Sequence, residues 1–231
     1  MIDDRPERDP VRYAEERQLT TQRHGRFSPA QWLRNAPAAD YRRFLTAAIR
    51  RPGTVGAATP TSNAVASTVA RVVPPHGEPV VVELGPGTGS LSVGIRDRLP
   101  AAGRHVGIEL DESMVRHLRL RLPEMETVHG DARELRNTLP RLGIDSADVI
   151  VSSIPWSLLS DEEQRDLLRQ CCRNLAPGGA FTAMTYLPMR HSPGGRRFRN
   201  HLETSFGEVV TQTTWRSVPP MLHYTCRHPI V

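Results

Sequence analysis

The segment Val80-Val81-Val82-Glu83-Leu84-Gly85-Pro86-Gly87-Thr88-Gly89 constrains this chain more than any other stretch of it. Three β-branched apolar residues predict a buried strand. The glycines behind them predict a tight turn, followed by a helix to about residue 99. Such a turn lets backbone approach a ligand closely, and the helix start offers amides that no intrahelical carbonyl accepts. The pattern then repeats: strand 105–109 with helix 112–120, strand 127–128 with helix 132–139, strand 148–151 with helix 161–175. Strands alternating with helices require a parallel sheet covered on both faces. After the turn signal Pro177-Gly178-Gly179 come strand candidates 180–186, 208–213 and 222–227. The last two leave no room for a crossover helix, so an antiparallel hairpin is expected at the sheet edge.

The expected fold is therefore α/β: a Rossmann-like, seven-stranded, mostly parallel sheet with an antiparallel C-terminal edge hairpin and an N-terminal helical extension. A chain of 231 residues accommodates one large domain with such an extension. We place the boundary between 1–53, a helical extension or lid, and the domain 54–231. Ser28-Pro29 and Pro37-Ala38 read as helix starts, and 40–51 sets Phe44, Leu45, Ala48 and Ile49 on one face with arginines opposite. No apolar run approaches the roughly 18 to 20 residues of a membrane span. The opening MIDDRPERDP is acidic and proline-punctuated, unlike a secretion signal, so a cytoplasmic location is expected. Cys171, Cys172 and Cys226 show no metal-ligand spacing and read as small buried apolar residues; no metal is expected. The net charge of +5 is spread among acids, which favours a solvated mixed surface over a nucleic-acid face.

A glycine turn alone is weak evidence, but three sites fall at three successive strand ends. Glu109 ends the second strand, where an acid accepts from ribose hydroxyls, with Leu110 beside it. Gly130-Asp131-Ala132 closes the third, where an acid accepts from an exocyclic adenine amine. Together with Glu83, Gly85, Pro86, Gly87, Thr88 and Gly89 they form a nucleoside pocket. The turn reads GxGxG after an acid, not the GxGxxG of dinucleotide enzymes, and a Walker lysine is excluded because the chain has no lysine. Glu83 suits a cationic sulfonium better than a pyrophosphate.

These residues resemble the class I S-adenosyl-L-methionine (SAM) dependent methyltransferase motifs over about 54–190. The resemblance implies SAM as cofactor, with Glu83, Gly85 and Gly87 at its methionine part, Glu109 at the ribose, and Asp131 with Ala132 at the adenine. Arg50-Arg51-Pro52-Gly53-Thr54-Val55-Gly56-Ala57-Ala58-Thr59-Pro60-Thr61-Ser62, Ser152-Ser153-Ile154-Pro155-Trp156 and Val218-Pro219-Pro220 narrow it. They resemble the bacterial phosphatidylethanolamine N-methyltransferases, a family similar to ribosomal RNA adenine dimethyltransferases, with an actinobacterial branch acting on the third carbon of indoles. Amino-group methyltransferases place Asn, Asp or Ser, an aliphatic residue, Pro and an aromatic after the fourth strand. Ser153, Ile154, Pro155 and Trp156 follow that order loosely: Ser152 and Ser153 border the cofactor, Ser153 can accept a hydrogen bond, and Trp156 offers a stacking face.

None of the twelve aromatic residues lies between Thr54 and Pro155. Five precede that stretch, including Tyr13, Trp32, Tyr41 and Phe44, and seven follow it, including Trp156, Phe181, Tyr186 and Phe198. Both groups belong to regions expected beyond the carboxyl ends of the strands, where Tyr13, Trp32, Ile154, Pro155, Trp156 and Tyr186 would line an acceptor pocket. Methyl transfer is an in-line displacement that chiefly needs positioning. Where the acceptor must lose a proton, the candidate bases are Tyr13, Glu15, Glu16, His24, Tyr186 and His191. The run 190–199 reads as a mobile basic loop. The leading expectation is methylation of a ring carbon or nitrogen of a small indole-type metabolite. The alternative is a phospholipid headgroup N-methyltransferase touching the membrane through 40–51. A nucleic-acid binder with this fold is the remote third reading. The oligomeric state is left open.

Overall fold

A computed structural model describes residues 63–217 and 219–230. Tyr13, Glu15, Glu16, His24, Trp32, the helix expected at 40–51, the 1–53 boundary, the run 50–62 and Val218 lie outside the described residues. The elements are α1 (Asn63–Ala70), β1 (Val80–Leu84), α2 (Ser90–Arg96), β2 (Arg104–Glu109), α3 (Glu112–Arg121) and β3 (Glu126–His129), then α4 (Leu135–Arg141), β4 (Ala147–Ser152), α5 (Asp161–Arg173), β5 (Leu175–Tyr186), α6 (Pro193–Ser205), β6 (Phe206–Thr214) and β7 (Met221–Pro229). Short 3-10 turns occupy Ala132–Glu134, Trp156–Leu158 and Leu187–His191.

The strands form one sheet in the order β3-β2-β1-β4-β5-β7-β6. The first five are parallel, and β7 runs antiparallel to both β5 and β6. The seven strands, the parallel core and the antiparallel hairpin agree with expectation. Alternate residues of each strand serve opposite faces. On one face Val82, Leu84, Val106, Ile108, Ile150 and Phe181 pack against α4, α5 and α6 through Leu139, Leu168, Cys172, Phe198 and Leu202. On the other, Val81, Val149 and Val151 meet Val65 and Val69 of α1 and Leu91 and Ile95 of α2. Each fully buried aliphatic side chain here contributes about 1.5–3 kcal/mol. The three cysteines are free and buried, as expected, and burial pushes the thiols of Cys172 and Cys226 up to about 11 and about 12.

Local chemistry sets the helix starts. Asp111 caps α3 by accepting from the amides of Ser113 (2.8 Å) and Met114 (3.2 Å). Ser160 and Glu163 form a reciprocal capping box on α5. Ser192 caps α6 by accepting from Gly195 N at 3.0 Å, with Pro193 at the first helical position.

This last start corrects the expectation of a basic loop over 190–199: a 3-10 turn and helix α6 stand there. Gly194 and Gly195 are needed for close approach. A Cβ at 194 would lie 2.0 Å from Ser157 O, and one at 195 would lie 2.1 Å from Met189 O. Gln164, fully buried in α5, ties the junction by donating Nε2 to Trp156 O (2.7 Å) and Gly194 O (3.1 Å). The segment after β4 is thereby locked to the start of α6.

Candidate active site

The parallel register brings four strand ends side by side. Leu84 pairs with Ile108 and with Ser152, and Glu109 pairs with His129. The turn after β1, the acid ending β2, Gly130-Asp131 after β3 and Ser152-Ser153 at the end of β4 therefore share one edge of the sheet, which is where ligands bind in open α/β folds.

The turn after β1 owes its shape to its glycines. Gly85, Gly87 and Gly89 have φ of 69°, 58° and 77°, values that side-chain-bearing residues rarely adopt. A Cβ at Gly87 would meet nothing within 4 Å, so open space lies over the turn. Gly85 N donates to Ile108 O (2.9 Å) and Ser153 N to Leu84 O (2.9 Å), fastening the turn to β2 and to the segment after β4. Pro86 is buried, and Thr88 Oγ1 lies 3.0 Å from Ser90 Oγ.

Glu109 is buried and braces this turn: Oε2 accepts from Gly87 N and Oε1 from Asp111 N, both at 2.9 Å. Gly130 N donates to Glu109 O (3.0 Å), which sets Asp131 and Ala132 next to the same acid. Leu110 is 66% exposed and presents a free aliphatic face there. Asp131 accepts from Arg133 Nε (2.9 Å) and the Arg133 amide (2.9 Å), and the Arg133 guanidinium holds its carboxyl below the usual range.

Glu83 is fully buried. Its Oε2 accepts from Ser92 Oγ (2.7 Å) and from His105 Nε2 (3.1 Å), while Oε1 has no partner among the described residues. Ser92, His105 and Arg133 are contacts that the sequence reading missed. His105 left a trace, a lone polar residue beside the apolar run of β2; Ser92 and Arg133 left none.

Ser152 and Ser153 differ sharply. Ser152 Oγ is buried and accepts from Trp156 Nε1 at 2.9 Å, so it serves the core. Ser153 Oγ is buried without a partner among the described residues. The Trp156 ring is 1% exposed, stacked on Phe198 at 4.4 Å and met edge-on by Phe181 at 5.8 Å. Phe198 meets Tyr224 in turn at 5.7 Å. The stacking face expected of Trp156 is thus spent inside the core, because a ring this large gains most from full burial. Ile154 and Pro155 are half-buried, and a Cβ at Gly85 would touch Ile154 at 3.4 Å. Tyr186 is half-buried at the end of β5, and burial raises its hydroxyl pKa. His191 is exposed, and its Nε2 accepts from Arg190 Nε at 2.7 Å. The structure therefore gathers Gly85–Gly89, Glu109, Leu110, Asp131, Ala132 and Ser153 at one edge.

A sheet of this order, with a glycine turn after its first strand, has the Rossmann-like architecture. The family described as methyltransferase domain matches residues 81–179. The chain is 34% identical over 191 residues to the ornithine lipid N-methyltransferase of Singulisphaera acidiphila, covering 81% of this chain and 96% of that one. Among solved structures it is similar to TrmN from Thermus thermophilus (TM-score 0.57, 19% identity, 80% of this chain and 52% of that one). It is also similar to a TehB-like SAM-dependent methyltransferase from Corynebacterium glutamicum (TM-score 0.52, 13% identity, 83% and 97%). The chain belongs to the class I SAM-dependent methyltransferases, enzymes that take SAM as methyl donor.

Proposed function

We propose that this enzyme methylates an amine nitrogen carried by a lipid headgroup. The observation that carries the reading is the likeness to the ornithine lipid N-methyltransferase along 96% of that protein's length. Trp156 is one of the rings expected to line an aromatic acceptor pocket, and its burial in the core leaves that pocket one ring fewer.

The residues fit the donor. Open space over Gly87 and the unpartnered Glu83 Oε1 suit a close-lying cationic group. Gly85, Pro86, Gly87, Thr88 and Gly89 would border its methionine part with Glu83. Glu109 would receive ribose hydroxyls, Asp131 with Ala132 the adenine edge, and Leu110 the ring face. SAM supplies an electrophilic methyl carbon on sulfonium sulfur.

The chain's own task is to hold a neutral amine in line with that carbon, about 3–3.5 Å away, and to exclude water. Ser153 Oγ, buried and free to accept, would take an N–H of the amine and turn its lone pair toward the donor. Tyr186 and His191 remain the described candidates for receiving the released proton.

The test is transfer from methyl-labelled SAM to a panel of amino lipids in mixed micelles and of indole compounds in solution. Label on the lipid amine is expected; label on the indoles alone would overturn the assignment.

A further inference from the structure

We infer that the edge formed by the turn after β6 and the start of α6 docks the enzyme on an anionic lipid bilayer. The inference rests on the lipid-acceptor reading and adds to it a surface made of Trp215, Arg216, Arg190, Arg196 and Arg197.

Connectivity places these residues at one end of the sheet. Tyr186 ends β5 and pairs with Met221, which pairs with Thr214, so the turn that opens at Trp215 stands at the carboxyl end of β5. Leu187 N donates to Pro220 O at 2.8 Å, joining that turn to Leu187–His191. Arg196 Nη1 donates to His191 O at 2.9 Å, joining Leu187–His191 to α6. The start of α6 is clamped through Gly194 and Gln164 to the segment carrying Ser153. The surface therefore lies on the same sheet edge as the candidate active site.

Its chemistry is that of an interface with a charged lipid layer. Trp215 is 72% exposed at a hairpin turn, where neither the sheet nor a helix needs an indole. Tryptophan with one apolar body and one polar N–H is favoured at headgroup depth. At the same end of the sheet, Arg190, Arg196, Arg197 and Arg216 have no carboxylate partner among the described residues, unlike Arg199, which Glu203 pairs at 2.8 Å. The Arg197 guanidinium reaches Leu159 O with Nη2 at 3.5 Å, and its Nε has no acceptor among the described residues. Arg190, Arg196 and Arg197 line a groove of about 660 Å³, whose excess of positive charge favours an anionic occupant. Phosphate oxygens of a bilayer offer charged acceptors to the exposed guanidinium groups, and cationic residues above an anionic leaflet each add to binding.

Flotation with phosphatidylcholine vesicles, with and without phosphatidylglycerol, tests the surface without requiring turnover. Binding is expected only with phosphatidylglycerol, and it should weaken as salt rises. Arg196→Ala and Arg216→Ala should each lower partitioning about fivefold. Trp215→Ala should lower it several-fold as well, while all three variants keep the wild-type affinity for S-adenosylhomocysteine. Equal flotation of variants and wild type would overturn the inference. So would a chain that methylates lipid amines in micelles yet ignores anionic vesicles, a result that spares the acceptor assignment. Salt-sensitive RNA binding lost in the same variants, without vesicle binding, would overturn it in favour of a nucleic-acid face.

Discussion

Replacing Glu109 with alanine removes the acceptors of two backbone amides at once, Gly87 N and Asp111 N. Hydrogen bonds to an ionised acceptor contribute about 1.5–3 kcal/mol each, but both amides sit at the rim and can turn to water, so the free protein should lose about 1–2 kcal/mol in all. The proposed complex loses more, because ribose hydroxyls forfeit their acceptor and the turn that holds the donor is no longer braced. A further loss of about 1–3 kcal/mol corresponds to roughly 5- to 150-fold weaker binding. Calorimetric titration with S-adenosylhomocysteine reads the second quantity, and urea unfolding of the free protein reads the first. A variant that is less stable but binds with unchanged affinity would show that Glu109 only braces the turn. That outcome would refute its placement at the ribose.

Trp156→Ala should destabilise the fold by about 3–5 kcal/mol in urea unfolding, because it empties the space between Phe198 and Phe181. Gly194→Ala should lower the melting temperature, at a cost of about 1–3 kcal/mol, since its methyl group cannot coexist with Ser157 O. Burial pushes the His223 imidazole down to about 4 from its ordinary value. As the pH falls below about 6.5 the unfolded chain takes up a proton that the folded chain refuses, so stability should drop until about pH 4, by about 3 kcal/mol in all. His223→Gln should flatten that part of the stability profile, and an unchanged slope would remove His223 as its source.

The parallel core was legible because each strand is a short apolar run ending in a turn signal, so Val80-Val81-Val82 and Glu109 fell into place from sequence order alone. The placement of β7 between β5 and β6 was not, because the order of neighbours in a sheet is set by long-range pairing. The start of α6 shows a subtler limit. Pro193-Gly194-Gly195 reads as a flexible loop when only local propensity is weighed, and the contact that makes Gly194 necessary lies far away in sequence, at Ser157. Trp156 shows the same limit at the site. Its position in the motif suggested a ligand contact, whereas Ser152, Phe181 and Phe198 claim the ring for the core. Acids at strand ends were readable as a group, but their partners, His105 on Glu83 and Arg133 on Asp131, depend on neighbours that no spacing rule identifies.

A crystal structure of the enzyme with S-adenosylhomocysteine tests the account most directly. It should show ribose hydroxyls on the Glu109 carboxyl, the adenine beside Leu110 and Asp131, and the sulfur facing Ser153 across the glycine turn. An adenosyl group seated away from the ends of β1, β2 and β3 would contradict it.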